Sequence, residues 1–267
     1  MRLPQQNVSY SRDEKELDIR SSSLVPLITY PHFSESEYND RISEMESLGI
    51  TSIILGGKTI VNGAHIAGKG CVGMVVKSKV GSKICALKIR RTDADRKSMN
   101  EEARFHKIAN SVGVGPHLEG QTKNLIAMEY IAGQSIIDWI IGGSGSNNNN
   151  SNNARRSKMC AVIKGVLEQC FSLDAASLDH GELSRLARHV IVSDCPYIID
   201  FESASTIRRT SNVTAAAQSI FLYGIVANGV RNIFGIIDKE RLVHALRTYK
   251  HFQTRANFDT VLDSLPI

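Results

Sequence analysis

One string constrains this chain more than any other: Gly68-Lys69-Gly70-Cys71-Val72-Gly73-Met74-Val75, a G-x-G-x-x-G-x-V pattern. Glycines at that spacing let backbone N–H groups approach an anion closely. A dinucleotide fold would need them between a strand and a helix. Here the β-prone Val75, Val76 and Lys77 follow directly. The glycines are therefore expected in a hairpin, where a strand-turn-strand lid covers phosphates. The bland alternative is a glycine-rich hairpin without a ligand.

The flanking sequence sets the organisation. Residues 1–20 are polar and read as frayed or lightly docked, and 21–33, with prolines at 26 and 31, read as extended. Ser34 with Glu37 three residues later forms a capping box for a helix over 34–48, and 50–55 (ITSIIL) reads as a strand. Short β-prone pieces follow at 60–61, 65–67, 74–77 and 84–90, divided by glycines, as in an antiparallel meander. A helix over 95–110 and a strand over 125–129 come next. Residues 142–153 (GGSGSNNNNSNN) are low in complexity and read as a floppy excursion beside a helix over 154–171. Helices are expected over 213–229 and 238–249, with a weaker one at the end. Mostly β and then mostly α predicts an α+β chain of two lobes with a cleft. The divisions fall at 1–59, an extension that braces the small lobe or docks a partner, at 60–131 and at 132–267.

Four further signals carry chemistry. Lys88, in Ala86-Leu87-Lys88-Ile89, lies 15 residues beyond Gly73 and shares a strand face with Ala86 and Ile84. A lysine on an apolar face needs a partner or a bound group, unless it is an edge lysine reaching out to solvent. Glu101 and Glu102 on the following helix offer that partner. Glu102 shares its side with Phe105 and Ala109 and is preferred; Glu101, with Phe105 and Ile108, is the alternative. Arg90, Arg91, Arg96 and Lys97 read as solvated charge. Tyr197 to Glu202 (YIIDFE) ends a strand in Asp200, where a carboxylate can hold Mg²⁺ between phosphate oxygens. Glu182, in Asp179-His180-Gly181-Glu182-Leu183-Ser184, stands 18 residues before Asp200 in a loop leading to a strand at 190–192. His180 reads as a structural histidine holding that loop near Asp200. Ser184, Arg185 and Arg188 are candidate phosphate contacts or a plain solvated basic loop.

In this order and spacing the motifs resemble the protein-kinase-like superfamily. The strings HGELSR…HVIV and IIDFESAS are similar to its small atypical branch, the RIO and Bud types, and look closest to an archaeal group of predicted serine/threonine kinases. The resemblance covers roughly residues 60–210 and implies an antiparallel β lobe and a reduced helical lobe. It makes Gly68, Gly70 and Gly73 the phosphate lid and Lys88 with Glu102 an ion pair. It places Met128 behind the adenine and makes Glu129 to Ile131 the hinge that meets adenine through backbone groups. Glu182 takes the position of the catalytic aspartate and Asp200 that of the metal ligand.

This chain departs from the pattern in four ways. The catalytic aspartate is a glutamate, one methylene longer. The position five residues on, where the family has a metal-binding asparagine, is Ala187, and His189 is the nearest polar candidate, although imidazole suits Mg²⁺ poorly. Glu202 replaces the usual glycine and is a candidate oxygen ligand. No A-P-E motif follows, and with 65 residues after Glu202 a long peptide-docking segment is not expected.

The expected activity is therefore ATP- and Mg²⁺-dependent phosphoryl transfer to serine or threonine of a protein. The alternatives are a kinase-fold ATPase or nucleotide-gated module in a tRNA- or ribosome-related complex, a small-molecule kinase, and a pseudokinase. A net charge of +5 over 267 residues supports a nucleic-acid-containing partner only thinly. No run of 18 strongly apolar residues and no secretory h-region are present, so neither a membrane partner nor secretion is expected. Five scattered cysteines without C-x-x-C suit a reduced cytoplasmic interior.

Overall fold

The strand-rich first half forms an antiparallel sheet with a small separate hairpin because its β-branched runs alternate with tight glycine turns. A computed structural model describes residues 14–142 and 149–267. They divide into two units, one running to Asn100 and including Leu118–Tyr130, the other comprising Glu101–His117 and Ile131–Ile267. The chain is α+β.

In the first unit the strands are β1 (Lys15–Asp18), β2 (Ile50–Leu55), β3 (Thr59–Val61), β4 (Ala64–Ile66), β5 (Gly68–Lys69), β6 (Gly73–Val80), β7 (Lys83–Arg90), β8 (Leu118–Gln121) and β9 (Leu125–Glu129). The main sheet runs β1-β2-β6-β7-β9-β8, with β5 paired to β6, while β3 and β4 form a separate hairpin. All the pairings are antiparallel. Two helices belong here, α1 (Val25–Ile28) and α2 (Glu35–Ser47). The Ser34 hydroxyl accepts from Glu37 N–H, and Glu35 and Glu37 complement the helix dipole. Ile42 and Met45 of α2 pack into a core with Ile53, Val76, Leu87 and Ile89. Glu44 adds a polar tie: its carboxylate accepts from Thr122 Oγ1, Asn124 N–H and Asn124 Nδ2.

The sequence expectations change at three places in this unit. Residues 15–18 are not frayed but form an edge strand. Its polar KELD string hides it, because Glu16 pairs with Lys79 and Ser52 on neighbouring strands rather than with an apolar core. Residues 22–28 are a 3₁₀ turn running into α1, not extended. Pro26 is compatible with that because it falls in the first helical turn, where no backbone N–H is needed. Arg90 is buried, not solvated. Its guanidinium donates to Asn124 Oδ1 at 2.8 Å and to the Arg91 and Arg96 carbonyls, and it faces Glu37 at 3.5 Å.

In the second unit the helices are α3 (Asn100–Ser111), α4 (Ile136–Gly142), α5 (Asn149–Ala175), α6 (Asn212–Phe221), α7 (Gly224–Phe234), α8 (Lys239–His251) and α9 (Arg255–Asp263). A small sheet runs β10 (Gln134–Ser135), β11 (Val190–Val192), β12 (Pro196–Ile198). Val166, Leu167, Cys170 and Leu173 of α5 form the spine of the core, joined by Ile220, Leu246, Tyr249 and Phe258. Of the expected excursion, 143–148 lies outside the described residues, whereas from Asn149 the chain is already helical. The helix expected over 213–229 is two helices bent by 61°, broken before Gly224 at φ +89°. Among the described residues no single helix is long and apolar enough to cross a membrane. The bent pair α6–α7 has the composition, but its apolar residues, Val213, Ala217, Ile220, Val226 and Val230 among them, fill the core.

Asp174 joins α5, α6 and α8. Its buried carboxylate accepts from Asn212 N–H and Nδ2 (3.0 and 2.8 Å), Val213 N–H (3.2 Å) and the Tyr249 hydroxyl (2.9 Å). Removing it orphans all of these donors. Asp174→Ala is expected to cost ~3–5 kcal/mol in urea melts, and Tyr249→Phe ~1 kcal/mol. A loss under ~1 kcal/mol for Asp174→Ala contradicts the assignment.

Candidate functional site

In the first unit β5 and β6 hold the glycine string as a hairpin. Gly68 pairs with Val75, and Gly70 N–H donates to Gly73 O at 2.8 Å. Gly73 is required by close packing: a Cβ there would lie 3.0 Å from Ile89 O and 3.1 Å from Lys88 Cγ. Gly68 has no such reason. A Cβ on it meets nothing within 4 Å among the described residues, and its φ is not left-handed. Lys88 lies on β7 between Val75 of β6 and Ile126 of β9, and only 5% of it is exposed. Met128 and Glu129 end β9, opposite Ala86 and Cys85, and Ile131 begins the second unit.

The second unit carries the carboxylates. The loop before β11 and the loop after β12 are stitched together by a backbone bridge: Asp179 N–H donates to Ser205 O, and Ser205 N–H to Asp179 O, at 2.9 and 2.8 Å. The Asp179 side chain accepts from Ser211 N–H and from Arg208. Fully buried His180 donates from Nε2 to the carbonyl of Ile199, 3.0 Å away, the residue before Asp200. Phe201 is clamped between the rings of His180 and His106 at centroid distances of 5.3 and 5.2 Å. His106 is fixed in turn by the Pro116 carbonyl at 2.7 Å. Gly115, at φ +83°, leaves room for Phe201, whose Cε2 would lie 3.0 Å from a Cβ there.

These anchors fix the backbone on either side of Asp200, which takes φ +71°. Aspartate tolerates that region better than most residues, but the conformation still costs about 1–3 kcal/mol. His189 stands between the two loop carboxylates. Its Nε2 lies 3.0 Å from Glu182 Oε2, and its Nδ1 lies 4.0 Å from Asp200 Oδ2. Glu182 occupies the capping position of the 3₁₀ turn 183–188 but makes no side-chain cap, so its carboxylate is free to reach His189. Glu102 belongs to the first turn of α3, where the helix dipole favours a carboxylate. It is 4% exposed, whereas the Glu101 side chain is two-thirds exposed beside Arg104. Glu102, Asp200 and Glu202 each present an oxygen within 4.8 Å of the others.

Sequence reasoning placed Asp200 and Glu202 together and took Glu102 for a lysine partner; Lys88 lies in the first unit and Glu102 in the second. The approach of Glu102 to the two loop carboxylates was not foreseen, nor was the Glu182–His189 contact. His106, one turn beyond Glu102, was the available clue to which helix face carries polar function. As a metal ligand His189 has Nδ1 nearest Asp200, while Nε2 lies against Glu182. Ser184, Arg185 and Arg188 are all exposed.

Burial holds the His180 pKa down to about 4 from 6.5, so the ring is neutral in the folded protein. The unfolded chain takes up that proton first as the pH falls. The stability His180 confers is therefore complete above about pH 6.5 and is lost progressively towards pH 4. From pH 7 to pH 5 this residue alone is expected to cost about 2 kcal/mol in urea melts. His180→Asn is expected to remove that part of the pH dependence; identical pH slopes in the two proteins contradict the assignment.

No family model matches the chain. It is similar to an uncharacterized protein of Methanocaldococcus jannaschii, 27% identical over 89 residues, which span 33% of this chain and 77% of that protein.

Proposed function

We propose that the chain is an ATP- and Mg²⁺-dependent phosphotransferase of the atypical serine/threonine protein kinase kind, on a two-lobed protein-kinase-like fold. The observation that carries this reading is the strained Asp200, held beside Glu182 through the single bridging ring of His189. Two carboxylates so placed suit the two tasks of phosphoryl transfer, one on the cation and one on the acceptor hydroxyl. Asp200, with Glu202, would hold Mg²⁺ through oxygen, the donor that ion prefers. When bound, the cation neutralises charge on the transferring phosphoryl group. Glu182 orients the acceptor and takes up its proton, and His189 limits how far the longer glutamate side chain can stray.

The first unit supplies phosphate contacts in this reading. Gly68 is a glycine that neither packing nor backbone torsion demands, which suits close approach of a ligand to its backbone. Gly70 and Gly73 complete the hairpin, and Lys88 provides a point charge on the phosphates. Met128, Glu129 and Ile131 would meet the adenine. The acceptor is a protein serine or threonine, and the setting is cytoplasmic.

The second reading, ATP hydrolysis or nucleotide gating within a complex, is favoured by one observation: Glu182 Oε2 is already engaged by His189. ATP labelled at the γ-phosphate, incubated with the chain and Mg²⁺, separates the two. Label on protein, reduced ~100-fold or more by Asp200→Ala and by Glu182→Gln, is the expected result. Label in free phosphate alone favours hydrolysis, and wild-type transfer in both variants contradicts the roles assigned.

A further inference from the structure

We propose that Tyr30, Lys69 and Arg91 clamp the tip of the glycine hairpin to the N-terminal extension, so that the hairpin is set in position before any ligand arrives. What the setting serves, a lid prepared for phosphates, rests on the phosphotransferase reading; the clamp itself does not. Arg91 follows β7 and reads from sequence as solvated charge, yet its side chain is only 18% exposed. Its backbone N–H donates to Val72 O at 2.8 Å, and its Nη1 donates to Gly70 O at 3.1 Å. One residue thus holds the tip on both sides of the exposed Cys71. The guanidinium is held in turn by Asp93, which accepts from Nε and Nη2 at 2.9 and 2.6 Å. Each carbonyl taken up this way is one fewer acceptor turned towards an anion, and the polarity of the tip shifts to its N–H groups.

The extension supplies the other jaw. The Arg91 guanidinium lies over the Tyr30 ring, 5.4 Å from its centroid. The Tyr30 hydroxyl accepts from Lys69 Nζ at 2.6 Å, and Lys69 belongs to the glycine string itself, paired with Met74. Tyr30 is anchored in its own right. Its carbonyl accepts from Thr92 N–H at 2.8 Å, and Thr92 Oγ1 donates to Thr29 O at 3.3 Å and accepts from His32 N–H at 3.1 Å. Tyr30 also packs against the core that α2 enters. A loose glycine loop loses conformational freedom when a ligand orders it. A loop already tied avoids that loss, and the saving appears as affinity for whatever meets its N–H groups.

Hydrogen exchange of the full-length chain without nucleotide reads the clamp. Arg91→Met and Tyr30→Leu are each expected to speed exchange in a peptide covering 69–76 by about tenfold, with a peptide covering β9 unchanged. Lys97→Met, which removes an exposed charge outside the hairpin, leaves both peptides as they are. Arg91→Lys, which keeps a donor for Gly70 O, recovers part of the protection. Calorimetric titrations with ATP and with adenosine read what the clamp serves. Arg91→Met and Tyr30→Leu are expected to lose about tenfold in affinity for ATP and none for adenosine, which has no phosphate to meet the tip. Unchanged exchange in both variants overturns the proposal, as does exchange that quickens equally in β9, the mark of general damage. Equal losses for ATP and adenosine overturn the role in phosphate contact. Faster exchange confined to the hairpin, in a chain that binds neither ligand, sustains the clamp and removes the nucleotide reading.

Discussion

The buried hydrogen bond from His180 Nε2 to the Ile199 carbonyl fixes the chemistry of the helical unit. It ties the loop that carries Glu182 to the strand end that carries Asp200, and it does so without charge, because burial keeps the ring neutral. A protonated ring at the same place would repel any cation brought to Asp200. The same imidazole packs on Phe201 and lies edge-on to His189, so the three rings form one cluster. The Asp179–Ser205 bridge closes the loop from its other end.

That cluster makes the glutamate at 182 intelligible. A glutamate has one more torsion than an aspartate, and in the proposed phosphotransferase an unrestrained one would sample positions too far apart for efficient transfer. The close approach of His189 narrows that freedom.

The glycine hairpin, the strand carrying Lys88, the helix opened by Ser34 and the strand at 190–192 were legible because each depends on residues adjacent in the chain. Residues 15–18 were not, because an edge strand held by Glu16 with Lys79 and Ser52 carries no apolar alternation. The break before Gly224 was masked by a continuous apolar run, in which a left-handed glycine looks like any other small residue. Arg90 read as surface charge because its partners, Asn124 and Glu37, are remote in sequence. At the site, residue types were legible and distances were not. Glu182, His189 and Asp200 could be nominated from order and spacing, but the ring between the two carboxylates is a tertiary fact.

The central claim is that this chain binds nucleotide through a cation and a buried lysine. Calorimetric titration of the full chain with ATP tests it most directly, run with and without Mg²⁺ and repeated on Lys88→Met. The account predicts one ATP per chain, dependent on Mg²⁺ and weakened by at least tenfold in the variant. Absence of binding, or binding indifferent to both Mg²⁺ and Lys88, would contradict it.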